Sequence, residues 1–151
     1  MHDVRARARR TEAGFTLIEL MVVVLIIAIL IAIAVPTFLG ARERAHDSKT
    51  KEELRDGLIA AKVHYVDSRD FQTASAAVLE AIEPSISFDV LANADTDTVG
   101  FAAESADRIV LVRQSKSQTW YCLADDAGNT TRGKGSSLTA VDSVAECNGG
   151  W

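Results

Sequence analysis

The apolar positions of this chain fall into one unbroken block followed by short, spaced groups. From Phe15 to Phe38, only Thr16, Glu19, Pro36 and Thr37 interrupt a run of 24 residues. As a helix the run spans roughly 36 Å, enough to cross a hydrocarbon core of about 30 Å. The pattern then changes. Residues 42–56 are densely charged, with Asp47 and Lys51, and Glu52 and Arg55, at helical neighbour spacings, which predicts a solvated helix face. Leu54, Leu58, Ala61 and Tyr65 form a stripe at spacings of four, three and four, with Ile59, Val63 and Val66 beside it. That periodicity predicts a helix packing one face on a small core. The segment Asp67-Ser68-Arg69-Asp70 is expected to end it. From Phe15 this gives one helix of about 50 residues, against a soluble mean of roughly 11–12.

Beyond it, residues 73–82 (TASAAVLEAI) predict a short helix stopped by Pro84. Residues 86–91 (ISFDVL) alternate as a strand, and residues 99–103 predict another. Residues 108–114 (RIVLVRQ) and 119–124 (TWYCLA) are the most apolar strands, joined by a polar hairpin loop at 115–118. Residues 125–135, rich in glycine and threonine, are expected as loop, residues 137–145 as a helical turn, and residues 148–151 as a tail. Trp120 and Tyr121 point to opposite faces of one strand, so at least one belongs to the core. The expected fold is α+β: a long N-terminal helix packed on an antiparallel sheet of three or four strands.

Charge and composition narrow the function. The chain has 151 residues, with 16 basic and 21 acidic side chains and a formal charge of −5. That balance argues against binding nucleic acid through phosphate neutralisation. The sequence contains no glycine-rich phosphate loop, no Cys/His cluster at metal spacing and no nucleophile motif, so no enzymatic activity, cofactor or metal is expected. Four arginines, Arg5, Arg7, Arg9 and Arg10, precede the apolar run, a flank that holds that end on the cytoplasmic side. Arg42, Arg44, Lys49 and Lys51 nearly balance them beyond its other end.

An ordinary signal peptide and a plain anchor both compete for the run. Ala32-Ile33-Ala34 offers a cleavage pattern, but signal h-regions run to about 7–15 residues. Glu19, five residues in, costs roughly 2.5–3.5 kcal/mol at bilayer depth and so calls for a partner or a place near the interface. Pro36 removes a backbone donor near the end of the run and is expected to kink or loosen the helix. Gly14 stands at the border between charge and apolar residues.

With those features in register, Gly14-Phe15-Thr16-Leu17-Ile18-Glu19 resembles the class III signal of type IV prepilins and pseudopilins. The resemblance implies cleavage after Gly14 by a prepilin peptidase, N-methylation of Phe15, and an assembly role for Glu19. It implies a leader at 1–14, a transmembrane and assembly helix at 15–38, and a periplasmic or extracellular head at 39–151 that includes a helix over 39–67. Without the leader the chain carries 12 basic and 19 acidic side chains, a net −7. A staggered neighbour can bring its new amine to Glu19, offsetting part of the cost of two charges in lipid. One stagger satisfies both groups and others strand them.

On this reading the head lies outside the cytoplasm, where disulfides persist. Cys122 and Cys147 would then close a loop of 26 residues counting both ends, worth about 3.5 kcal/mol by chain entropy. The arrangement resembles the C-terminal disulfide-bounded region of many type IV pilins. Asp125, Asp126, Asn129 and Asp142 carry oxygens suited to calcium but match no fixed ligand spacing, and are read as solvated turn residues.

The expected function is a structural type IV pilus subunit, lodged in the inner membrane as a single-pass protein and later extruded in an extracellular pilus. Its expected partners are copies of itself, the prepilin peptidase, an inner-membrane platform with a cytoplasmic ATPase motor, and membrane lipid before assembly. A type II secretion-like pseudopilin or a competence-pilus subunit is the alternative. A membrane-anchored enzyme or binding module that uses residues 15–38 only as a tether is the more distant one.

Overall fold

A computed structural model describes residues 14–151. The basic segment with Arg5, Arg7, Arg9 and Arg10 lies outside the described residues. Two units are distinguished, with their boundary between Leu39 and Gly40.

In the first unit, helix α1 (Leu17–Ser68, which continues into the second) is long and apolar enough to cross a membrane. Its large side chains from Leu17 to Leu39 are exposed in the single chain. The helix runs through Pro36, whose missing N–H cannot bond Ala32, and the Thr37 hydroxyl donates to the Ile33 carbonyl at 3.2 Å.

In the second unit α1 ends one residue beyond expectation, at Ser68. Arg69 closes it with a left-handed φ of 58° and an N–H bonded to the Tyr65 carbonyl at 2.8 Å. Helix α2 (Ala76–Ile82) is shorter than the expected 73–82. Ser75 caps its first turn and a separate 3₁₀ turn takes Phe71–Thr73. A sheet follows in the order β1 (Ser87–Val90), β2 (Thr98–Ser105), β3 (Arg108–Gln114), β4 (Trp120–Asp126), β5 (Asn129–Gly135). The expected sheet was antiparallel with three or four strands. It has five, and β1 runs parallel to β2, because a 3₁₀ turn at Leu91–Asn93 carries the chain back rather than through a tight hairpin.

The fifth strand corrects the loop expected at 125–135. Ala127 and Gly128, with φ of 50° and 94°, form a two-residue turn of the twist that hairpins favour. Asn129–Gly135 then pairs along the whole of β4. The strand NTTRGKG carries no apolar side chain to announce it.

Both faces of β3 and β4 are covered. Ile109, Leu111, Tyr121 and Leu123 face α1 and pack with Leu54, Leu58, Ala61, Phe71, Leu79 and Phe88. The alternate residues Val110, Val112, Cys122 and Ala124 form a second core with Val141, Val144 and Cys147 of the C-terminal segment. Strands buried on both faces read as continuous apolar runs, as RIVLV does. Cys122 and Cys147 are disulfide-bonded, with Cα atoms 5.8 Å apart. The segment passes close over β5: a Cβ on Gly133 would lie 3.0 Å from the Cys122 sulfur and 3.2 Å from the Cys147 Cα. Of the expected helical turn only Leu138–Ala140 forms, as a 3₁₀ turn.

Candidate assembly site

The start of α1 is built by two side chains. The Thr16 hydroxyl accepts from the Glu19 N–H at 3.2 Å, while Glu19 Oε2 accepts from the Thr16 N–H at 2.9 Å and the Thr16 hydroxyl at 2.8 Å. This reciprocal arrangement is a capping box, which satisfies donors left over at a helix start. Sequence reasoning singled out Glu19 and passed over Thr16. The signal was present in the Thr-x-x-Glu spacing before an apolar run. All three bonds use Thr16 Oγ1 or Glu19 Oε2, so Glu19 Oε1 takes no hydrogen bond among the described residues.

Gly14 and Phe15 precede this box in exposed chain outside the helix, with Phe15 86% exposed and nothing within 4 Å of a Cβ built on Gly14. The bond between Gly14 and Phe15, where cleavage is expected, lies two residues before the first helical turn. The expected cleavage residues and Glu19 stand together at one end of the exposed apolar helix. Pro36 lies at its other end.

In the second unit Arg42, Glu43, Arg44, Lys49, Glu52 and Arg55 are exposed, as a solvated face requires, while Asp47 and Glu53 turn towards the sheet. Neither expected helical pair forms an ion pair. Asp47 instead accepts from the Ser115 hydroxyl at 2.6 Å and the Ser117 hydroxyl at 2.5 Å. Burial pushes the Asp47 carboxyl up, but bonds from Ser115, Ser117 and Tyr121, with the Lys51 cation, outweigh it and leave its pKa below the usual range. Burial, together with the Asp47 charge, drives the Tyr121 phenol up to about 12. Glu53 reaches Arg113 on β3 at 2.8 Å, and Arg113 also donates to the Thr96 carbonyl at 2.8 Å. Lys62 meets Asp125 on β4 at 2.6 Å and Thr130 on β5 at 3.0 Å. Asp47, Glu53 and Lys62 are thus fasteners to the sheet, which helical spacing alone does not reveal.

Two of the residues weighed for calcium, Asp125 and Asp126, are committed elsewhere. Asp125 is buried, pairs with Lys62 and accepts from the Gly128 N–H at 2.9 Å, and Asp126 pairs with Arg108 at 2.9 Å. No group of three or more metal-ligating side chains gathers among the described residues.

The tail expected at 148–151 leaves Asn148 and Gly149 exposed but packs its last residue, Trp151, on the sheet. The Trp151 indole N–H donates to the Cys122 carbonyl at 3.0 Å, and its ring meets Tyr121 edge-on at 6.2 Å. Lys51, Arg55 and Arg132 lie 5.3, 4.9 and 5.6 Å from the Trp151 ring centre. Tyr121 is core, as one of the strand aromatics had to be, and Trp120 is half-buried on the opposite face.

The profile of the prokaryotic N-terminal methylation motif matches residues 9–35. The chain is 30% identical over 123 residues to the type IV wide pilus major component PilA4 of Thermus thermophilus, covering 79% of this chain and 86% of that protein. It is 30% identical to the type IV narrow pilus major component PilA5 of the same organism, over 70% of this chain and 91% of the other. It is also 30% identical to the type II secretion system core protein G of Escherichia coli, over 51% of this chain and 53% of that one. No solved structure matches the chain significantly.

Proposed function

The chain belongs to the type IV pilin family, and from that premise we propose that it is a structural subunit of a type IV pilus, without catalysis of its own. The observation that carries the reading is the capped start of the apolar helix: Gly14 and Phe15 exposed, followed at once by the Thr16–Glu19 box. A prepilin peptidase cuts after Gly14 and methylates the amine of Phe15. The new cation then stands beside a helix start whose glutamate keeps one oxygen free for a neighbour. Helices staggered along a common axis pair the amine of one copy with Glu19 of another, and other registers leave both charges in lipid at a cost of several kcal/mol. Pro36, where the helix lacks one backbone hydrogen bond, lets it bend for that packing.

Before assembly the subunit is a single-pass protein of the inner membrane, and afterwards it belongs to an extracellular filament. Its partners are copies of itself, the peptidase, a membrane platform and a cytoplasmic motor ATPase, with lipid around the helix until extraction and no direct contact with nucleic acid. A pseudopilin of type II secretion is the second reading. It draws on the likeness to core protein G, which runs over a shorter part of the chain.

Glu19→Leu separates an assembling subunit from a simple tether. A tether gains from losing a charge in lipid, so its insertion and function persist. A pilus subunit keeps its cleavage at Gly14 and loses its filaments, with cleaved protein accumulating in the membrane. Abundant normal filaments from Glu19→Leu would overturn the assembly mechanism. Glu19→Gln isolates the charge, because it keeps the shape but forms no ion pair.

A further inference from the structure

The charges of the second unit are sorted across the sheet. From residue 70 to residue 107 there are eight acidic side chains and no basic one. That stretch forms α2, β1 and β2. From residue 108 to residue 135 five basic side chains face two acidic ones, and both acids, Asp125 and Asp126, are already paired with Lys62 and Arg108. The edge strands therefore differ in sign. Glu80 of α2, Glu83 just past its end and Asp89 of β1 stand at the β1 edge, and none has a cation within 4.0 Å among the described residues.

At the β5 edge, Arg132 and Lys134 alternate on the face that carries Leu123 and Tyr121, and Arg55 of α1 stands beside Arg132 over the Trp151 ring. A cleft of about 560 Å³ opens there, floored by Leu58 and Leu123 and flanked by Arg55, Lys62, Arg132 and Trp151. No carboxylate lies within 4.0 Å of Arg55, Arg132 or Lys134 among the described residues. The indole holds both guanidinium groups by cation–π attraction without cancelling their charge.

Four strand spacings separate the two edges, roughly 19 Å at about 4.8 Å each. That exceeds the Debye length of about 8 Å in physiological salt, so the edges do not neutralise one another within one copy. A helical polymer, on which this argument rests, joins copies through two different surfaces of each subunit. Copies with a net charge of −7 repel unless opposite patches meet.

We propose that in the filament the β5 edge of one copy, through Arg55, Arg132 and Lys134, receives the β1 edge of the next, through Glu80, Glu83 and Asp89. The contact selects the neighbour by charge, and the apolar cleft floor strengthens it by excluding water.

The test is a charge reversal with rescue in the full-length chain, scored by electron microscopy of surface filaments and by the level of cleaved subunit. Arg55→Glu with Arg132→Glu should lower filament yield at least about tenfold while cleaved subunit persists. Adding Glu83→Arg and Asp89→Arg to the same chain restores opposite signs and should recover most of the loss. Normal filaments from the reversed chain would overturn the contact, as would a loss that the swap does not repair. If the reversed chain is degraded, the mixed case decides: the contact requires that Glu83→Arg with Asp89→Arg alone also depress filaments and that raised salt loosen the wild-type ones, and failure of either overturns it. Absence of filaments from the wild-type chain would instead refute the pilus reading itself.

Discussion

Replacing Glu53 by leucine removes the only carboxylate within 4.0 Å of Arg113 among the described residues. Arg113 lies on β3 with its side chain 7% exposed, and Glu53 on α1 is 20% exposed. After the change the guanidinium keeps one partner, the Thr96 carbonyl at 2.8 Å. Breaking a fully buried pair from one side costs about 3–5 kcal/mol, because the surviving charge stays desolvated. Partial exposure of Glu53 lets water reach one side of the guanidinium, which lowers the expected cost to about 2–3 kcal/mol. Loss of the exposed Lys49–Glu53 pair, at 3.6 Å, adds little. Against a typical stability of about 5–15 kcal/mol, the drop is visible as a fall in Tm of roughly 10 °C. The assay is thermal and urea unfolding of residues 40–151 with the disulfide oxidised, followed by circular dichroism. The double variant Glu53→Leu with Arg113→Met replaces the pair by apolar groups and should return to within about 1 kcal/mol of the parent. A single variant costing under about 1 kcal/mol, or a double variant costing the sum of both singles, would refute the reasoning.

Intact-mass analysis of the native subunit should show residues 1–14 gone and one methyl group gained at Phe15, and Gly14→Leu should block the cut; a start at Val35 would point to an ordinary signal peptide. Replacing Cys122 and Cys147 by serine should destabilise residues 40–151 by about 3.5 kcal/mol and expose the 137–151 segment to proteases first, with non-reducing peptide mapping confirming the bond in the parent. The lowered Asp47 pKa contributes stability above the ordinary carboxylate range that is lost as pH falls through the folded value, so Asp47→Asn should flatten the acid limb of the unfolding profile. Tyr121, raised to about 12 from 10.0, contributes stability that is complete below pH 10 and lost as pH rises towards 12. The phenolate ultraviolet band should therefore appear late in the parent and earlier in Asp47→Asn.

Local pattern in the sequence carried the long helix, the Leu54–Leu58–Ala61 stripe, the two apolar strands, and the register of Gly14, Phe15, Glu19 and Pro36. Those features are properties of consecutive residues: helical and strand periods, a proline, and a charge placed among apolar neighbours. The relation of Thr16 to Glu19 was equally local and was there to be read. The tertiary structure decided what depends on residues far apart in the chain. Strand β5 forms because β4 offers a ladder and because Gly133 leaves room for the disulfide, neither of which the polar string NTTRGKG displays. Asp47, Glu53 and Lys62 look like solvent charges on a helix and become ties to the sheet, since a charge finds the nearest partner in space rather than the one four residues on. Trp151 ends the chain as a tail in sequence and as a packed ring between cations in space, because only the folded sheet brings Cys122, Arg55 and Arg132 to it. The two charged edges follow from the same cause: composition assigns acids and bases to successive segments, and strand order places those segments on opposite sides of the sheet.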